Sequence, residues 1–145
     1  MLSADTNLFI YAANPDSPRH GDATQFFAGL DPTAEFVIIE LVLVEIYMQL
    51  RNPAVLRKPL NSADAAGLCF RLRSNPNWQH VDYMPAVSAP LWDWASKTEG
   101  GFRQTIDARL ALTLRHHGVT EFATANVKHF EGFGFQRIWN PTSGV

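Results

Sequence analysis

Residues 36–50 read FVIIELVLVEIYMQL, a run of four apolar residues followed by a segment that is apolar on nearly every side. The continuous apolar run at 36–39 is typical of a parallel strand that is covered on both faces. Residues 40–50 carry only two carboxylates, Glu40 and Glu45, and one amide, as expected of a helix buried on most sides. The stretch therefore predicts a buried parallel strand followed directly by a buried helix.

The same alternation continues in both directions along the chain. Further strands are predicted at 2–6, 78–83, 121–124 and 136–139, and further helices at 7–13, 19–30, 62–73, 89–97 and 104–117. Alternating strands and helices favour an α/β fold of three layers, with helices on both faces of a mainly parallel central sheet of four to five strands. A chain of 145 residues fits one domain, residues 1–145.

The helix predicted at 104–117 has the clearest amphipathic pattern. Ile106, Leu110, Ala111 and Leu114 recur at helical spacing and predict one buried face. Gly118 follows where a C-terminal cap is expected.

Composition excludes several classes of protein. The formal net charge is −2, so no broad basic field attracts nucleic acid, and any binding of nucleic acid would depend on local groups. No apolar run reaches the roughly 20 residues of a membrane span. The single cysteine, Cys69, cannot form an intramolecular disulfide. We therefore expect a cytoplasmic protein with no membrane contact.

Three carboxylates lie in otherwise apolar settings. Asp5 ends the first predicted strand, Glu45 lies inside the most apolar helix, and Asp107 lies in the first turn of the amphipathic helix. Singly, Asp5 is explained as a helix cap, Asp107 as a partner of a helix dipole, and Glu45 as a partner of an arginine such as Arg51 or Arg109. Together they indicate a cage of oxygen ligands for Mg²⁺ or Mn²⁺.

Glu40 competes with Glu45 for this role. Its position at the start of the helix is the usual place for a solvated acid that interacts with the helix dipole, so Glu45 is assigned to the site. Asn126 follows the strand predicted at 121–124 and is a fourth candidate, as a carbonyl ligand or an ordinary turn residue.

The order of these motifs resembles a known family. The stretches that carry the resemblance are DTNLFIYAANPDSPRH (5–20), LVEIYMQLRNP (43–53), TIDARLALTLRHHGVTEFATANVKHF (105–130) and IWNP (138–141). Together they resemble the PIN-domain ribonucleases, specifically the toxins of VapBC-type toxin–antitoxin pairs.

The resemblance implies a three-layer fold and RNA cleavage that depends on Mg²⁺ or Mn²⁺. By position, Asp5, Glu45 and Asp107 match the three family acids, and Asn126 stands at the fourth, where many relatives have aspartate. Ala125 stands where relatives commonly have arginine. The resemblance also implies a small VapB-like antitoxin as partner and a homodimer.

A mechanism follows as a hypothesis. Asp5, Glu45 and Asp107 would hold one or two metal ions that lower the pKa of a water for attack on a phosphate, and no side chain becomes a covalent nucleophile. Thr6, Asn7 and Thr124 are expected to orient the carboxylates. Arg103 and Arg109 flank Asp107 and are candidates for contacts with RNA phosphates, or are simply exposed.

Three other readings stay open at this point. A phosphatase of the haloacid-dehalogenase type would need a second aspartate where Asn7 stands. A receiver-like regulatory domain could use Lys128 but lacks the early acid pair. The third is an inactive PIN-fold protein that only binds its antitoxin or a regulatory partner.

Overall fold

The computed structural model describes residues 1–143 and contains one five-stranded sheet in which every strand is parallel to its neighbours. The strands are β1 (Leu2–Ala4), β2 (Phe36–Ile39), β3 (Trp78–Val81), β4 (Glu121–Ala123) and β5 (Arg137–Trp139). Their order across the sheet is β3-β2-β1-β4-β5. The first strand of the chain is therefore the central strand, and the direction of winding reverses there.

Six helices cover the sheet. They are α1 (Thr6–Ala13), α2 (His20–Ala28), α3 (Glu40–Leu50), α4 (Ser62–Arg73), α5 (Ser88–Lys97) and α6 (Gln104–His116). Helices α1 to α4 pack against one another, and α5 packs against α6. Right-handed crossovers that reverse direction at β1 place these two groups on opposite faces of the sheet. The predicted three-layer α/β architecture is confirmed.

A polar residue directly follows each of the five strands. These residues are Asp5, Glu40, Asp82, Thr124 and Asn140. Because parallel strands all end at the same edge, the fold gathers these residues along one side of the sheet, where ligands bind in sheets of this type.

The core lies between the sheet and its helices, and aromatic residues occupy much of it. Phe122 of β4 is fully buried, and its ring centroid lies 4.7 Å from that of Phe130 and 5.4 Å from that of Phe135. On the other face, Phe27 packs against Phe9, with ring centroids 4.6 Å apart. Such pairs add to the stability that burial of their apolar area provides.

Helix α6 differs from its predicted pattern at one position. Leu110, Ala111 and Leu114 are buried as expected, but Ile106 is 50% exposed, so the prediction that it joins the buried face is wrong. Helical spacing identifies the face of a residue but does not show whether another element covers that part of the helix. The C-terminal cap prediction is confirmed, since Gly118 adopts a φ of 87°, a left-handed conformation that glycine reaches without steric cost.

Within residues 1–143, no helix is long and apolar enough to cross a membrane.

Replacing Phe122 by alanine tests the aromatic core. Phe122→Ala leaves a cavity against Phe130 and Phe135 and is expected to lower the free energy of unfolding by about 3–5 kcal/mol. The matched control is Phe70→Ala on α4, because Phe70 is 67% exposed. Urea denaturation of both variants measures the difference, and equal losses for the two would contradict this account of the core.

Candidate metal-binding active site

Asp5 occupies the first position after the central strand. It is only 7% exposed, and its backbone N–H donates to the carbonyl of Ala123 at 2.9 Å, which continues the pairing of β1 with β4. Its Oδ1 accepts from the backbone N–H of Thr6 at 2.8 Å and caps α1. The helix-cap role considered for Asp5 is therefore real, but it uses only one carboxylate oxygen.

The second oxygen of Asp5 is held by side chains. Thr124, directly after β4, donates its hydroxyl to Oδ2 at 2.7 Å, and Asn7 donates its amide at 3.3 Å. Thr124 and Asn7 are two of the three residues predicted to orient the carboxylates, and both form a hydrogen bond with Asp5. Such contacts fix the direction in which Asp5 presents its charge.

Thr6 connects Asp5 to Glu45. Its hydroxyl donates to Oε2 of Glu45 at 3.0 Å, while its backbone N–H donates to Asp5. One residue thus fixes two of the predicted acids, and it is itself buried. No arginine or lysine within residues 1–143 forms an ion pair with Glu45, so the structure gives no support to Arg51 or Arg109 as its partner.

Glu40 lies in a separate environment. Its Oε2 is 2.6 Å from Nε2 of His80 and 3.6 Å from Nε of Arg73, at the β3 side of the sheet. These partners explain Glu40 without a metal, and they agree with the choice of Glu45 for the site.

Asp107 lies in the first turn of α6 and has a partner that the sequence did not reveal. Its Oδ2 is 3.1 Å from Nδ1 of His129, which lies in a short 3-10 helix at Val127–Phe130. The two residues are 22 positions apart, and they meet because this short helix packs against α6. No spacing rule links them, so only the tertiary structure identifies His129.

Asn126 is linked to Asp5 through Thr124, and within residues 1–143 no hydrogen bond joins the Asn126 side chain to the three acids. Its backbone N–H donates to the Thr124 hydroxyl at 3.0 Å, and its exposed side chain lines a depression of about 380 Å³ together with Lys128, His129 and Asn140. The neighbouring Ala125 donates its backbone N–H to Oδ1 of Asn7 at 3.3 Å. A role for Asn126 as a ligand stays a prediction.

The two candidate arginines lie on different sides of α6. Arg109 follows Asp107 by two residues, and its guanidinium lies 4.2 Å from the centroid of the Tyr83 ring. Arg103 is exposed and lies four residues before Asp107, so Arg103 and Asp107 lie on one side of the helix. Their proposed phosphate contacts also stay predictions.

Burial raises the pKa of all three carboxyls. For Asp5 the pKa rises to about 6 from its usual 3.8, although the hydrogen bonds from Thr124 and Thr6 oppose the rise. Burial likewise raises the pKa of Glu45, where the charges of Asp5 and Asp107 add to the effect, and the pKa of Asp107, where His129 opposes it. The mutual effects show that the three charges share one environment.

This donor set suits a hard divalent cation. The acids supply only oxygen ligands, and within residues 1–143 no lysine or arginine pairs with any of them. In this described part no three His, Cys, Asp or Glu side chains come close enough to ligate one ion jointly. Mg²⁺ usually takes only one or two carboxylates directly and keeps several waters, so the three acids would suit this ion without all of them ligating it directly.

Comparison with known proteins identifies the family. The family model described as "PIN domain" matches residues 4–134, which is most of the chain. The chain belongs to the PIN-domain family. PIN-domain ribonucleases of the VapC type generally depend on a divalent cation, in agreement with the donor set.

Relatives place this PIN domain more narrowly. It is 45% identical over 141 residues to Ribonuclease VapC24 of Mycobacterium tuberculosis, and the alignment spans 97% of each chain. The prediction of a PIN-domain ribonuclease of the VapC type is therefore confirmed.

Solved structures agree with the fold. The structure of Mycobacterium tuberculosis VapC20, a sarcin–ricin loop cleaving toxin, gives a TM-score of 0.66 at 19% identity and covers 84% of this chain and 87% of that one. A toxin–antitoxin complex from Klebsiella pneumoniae gives a TM-score of 0.60 at 16% identity, with coverages of 97% and 98%.

The raised pKa of Asp5 predicts a pH-dependent stability in the absence of metal. The folded PIN domain holds the Asp5 proton more tightly than the unfolded chain, so this contribution is complete below about pH 4 and is lost as the pH rises through 6. When the pH rises from 5 to 7.5, the ionisation of Asp5 alone is expected to lower the free energy of unfolding by about 1.4 kcal/mol.

Urea denaturation with a chelator at the two pH values checks this expectation. The control is Asp5→Asn, which keeps an oxygen for the helix cap and should reduce the pH dependence by the contribution of Asp5, while those of Glu45 and Asp107 remain. Adding Mg²⁺ or Mn²⁺ at pH 7.5 should restore stability to the unmodified chain, because the ion binds the folded state. An unchanged pH dependence in Asp5→Asn would contradict the assignment.

Proposed function

We propose that this PIN-domain protein is an endoribonuclease that hydrolyses RNA phosphodiester bonds with Mg²⁺ or Mn²⁺. The reaction takes place at the edge of the sheet where Asp5, Glu45 and Asp107 lie. The protein acts as the toxin of a toxin–antitoxin pair in the cytoplasm. The observation that carries the proposal is the convergence of Asp5, Glu45 and Asp107 from three separate segments into one environment that raises the pKa of each. The 45% identity to Ribonuclease VapC24 supports the activity.

Each residue has a proposed role in this reaction. Asp5 and Asp107, assisted by Glu45, would hold the cation. When bound, the cation would lower the pKa of a water molecule and neutralise charge on the scissile phosphate. Thr124 and Thr6 fix the carboxylate oxygens of Asp5, and Thr6 also fixes Glu45. His129 holds the oxygen Oδ2 of Asp107.

An inactive PIN fold is the alternative, and two positions favour it. Asn126 stands where many relatives carry a fourth acid, and Ala125 stands where an arginine is common. The hydrogen bonds to the three carboxylates in the described structure come from other residues. We therefore favour the active enzyme.

RNA cleavage tests the proposal directly. Purified protein should cleave RNA only with Mg²⁺ or Mn²⁺, and Asp5→Asn or Asp107→Asn should reduce the rate by at least about 100-fold, since each removes a charge at the proposed cation. The matched control is Asp93→Asn on α5, because Asp93 is exposed and pairs with Lys97 on the same helix. Sequencing of RNA 5′ ends after induced expression locates the cuts, and undiminished cleavage in excess chelator would overturn the metal mechanism.

We also propose an antitoxin partner and a homodimer. The toxin–antitoxin complex from Klebsiella pneumoniae shares the fold, which supports a small protein partner for this chain. Exposed apolar side chains on α3, α4 and α5, namely Val44, Met48, Phe70 and Trp92, supply surface for such contacts.

Expression experiments test these partners. A small protein encoded next to this chain should co-purify with it and relieve the growth arrest caused by its expression. Size-exclusion chromatography over a range of concentrations should give a dimer, and a monomer at every concentration would contradict the homodimer.

A further inference from the structure

The depression of about 380 Å³ beside the three acids is a further candidate binding site. It is lined by the polar side chains of Asn126, Lys128, His129 and Asn140, which follow β4 and β5 in the chain. Since His129 also contacts Asp107 at 3.1 Å, the depression borders the proposed cleavage site. A strand of RNA that places one phosphate at the acids can therefore place an adjacent nucleotide in this depression.

Asn140 supplies a hydrogen-bond donor of fixed orientation. Its Oδ1 accepts from the backbone N–H of Thr142 at 2.9 Å and from the Thr142 hydroxyl at 2.7 Å. A backbone N–H can only donate, so the oxygen of the amide must face Thr142, which is itself buried. The NH₂ group of Asn140 is left for a ligand, and it donates but does not accept.

Lys128 supplies a second donor, with a positive charge. Its side chain is exposed, and no carboxylate of residues 1–143 lies within 4.0 Å of its ammonium group. Because the ammonium group of Lys128 and the NH₂ group of Asn140 both donate, they favour a ligand on which two acceptors lie side by side.

Guanine is the base that offers such a pair of acceptors. Its O6 and N7 are neighbours, and a lysine or arginine bound to them is the commonest base-specific contact in protein–DNA complexes. Adenine and cytosine carry amino donors at the corresponding edge, and uracil, like thymine, has the single acceptor O4 there. An asparagine recognises adenine through both amide atoms, and Oδ1 of Asn140 is already occupied by Thr142.

We propose that this depression is a guanine-binding subsite, in which Lys128 and the Asn140 amide donate to O6 and N7 of a guanine near the scissile phosphate. This inference rests on the proposed ribonuclease function and adds a base preference to it. Proteins that recognise RNA sequence form hydrogen bonds with these edges of the bases. Binding of the guanine would hold the neighbouring phosphate at the acids, so the preference for guanine becomes a preference for the site of cleavage.

A phosphate is the competing ligand, because Lys128 could equally bind a phosphate oxygen. Such a contact needs only a flexible positive charge, and it does not require an amide whose direction is fixed. The fixed amide of Asn140 therefore favours a base. The two ligands also differ in their effects, since a phosphate contact carries no sequence information.

Binding of RNA that contains one guanine tests the subsite separately from catalysis. The probes are a fluorescent 12-nucleotide RNA of adenosines and the same RNA with one central guanosine, and Asp5→Asn is present throughout to block the proposed cleavage. The RNA with guanosine should bind roughly 5- to 150-fold more tightly, as one good base contact predicts. Inosine should keep this preference because it keeps O6 and N7, whereas 7-deazaguanosine should reduce it because it lacks N7.

Two substitutions test the two donors. Asn140→Asp keeps an oxygen for the bonds from Thr142 but replaces the donor by an acceptor, so it should remove the preference for guanosine. Lys128→Met should reduce the preference. The matched control is Lys58→Met, which removes the same charge from an exposed lysine between α3 and α4 and should leave the preference intact. The ratio of the two Kd values is the readout, because a general change in charge affects both RNAs alike.

Three results would overturn the subsite. They are equal Kd values for the two RNAs in the parent, an unchanged ratio in Asn140→Asp, or a loss of affinity in Lys128→Met that is equal for both RNAs, which would assign Lys128 to a phosphate. Failure of the proposed function looks different, because the chain with Asp5 intact would then cleave no RNA in Mg²⁺ or Mn²⁺ even where the preference for guanosine holds.

Discussion

The hydrogen bond from the Thr124 hydroxyl to Asp5 joins the ends of two adjacent parallel strands and fixes the orientation of the Asp5 carboxylate at the edge of the sheet. A carboxylate as buried as Asp5 must have its oxygens satisfied, since an unpaired buried charge is strongly unfavourable. Thr6 satisfies one oxygen and Thr124 the other, and both are themselves buried. The position of β4 beside β1 is therefore required by packing and also by the chemistry of the residue that follows β1.

Electrostatics explains why a cation would stabilise the edge of the sheet that carries the three carboxylates. RNA is a polyanion, and three carboxylates by themselves would repel it. Burial makes these charges costly, and the described lysines and arginines leave them without ion pairs. A bound divalent ion would reduce both the cost of the buried charges and the repulsion between the site and the substrate.

The sequence predicted the strands and the helices because both depend on local physics, and it made the three acids candidates for the site by the same kind of argument. Continuous apolar runs mark parallel strands, and a carboxylate among apolar residues is conspicuous wherever it occurs. His129 could not be found this way, since its contact with Asp107 depends on how a short 3-10 helix packs against α6. Ile106 was misjudged for a related reason, because periodicity places it on a face but does not show where the covering elements end.

The sequence distance between Asp5 and Thr124 has a consequence for the synthesis of the protein. The two residues are 119 positions apart, and Asp107 and His129 also come late in the chain. The central strand therefore gains its second neighbour only after β4 has been synthesised. The site of this nuclease cannot assemble before the segment that carries Asp107, Thr124 and His129 has been synthesised, so the order of the strands in the sheet delays the onset of activity.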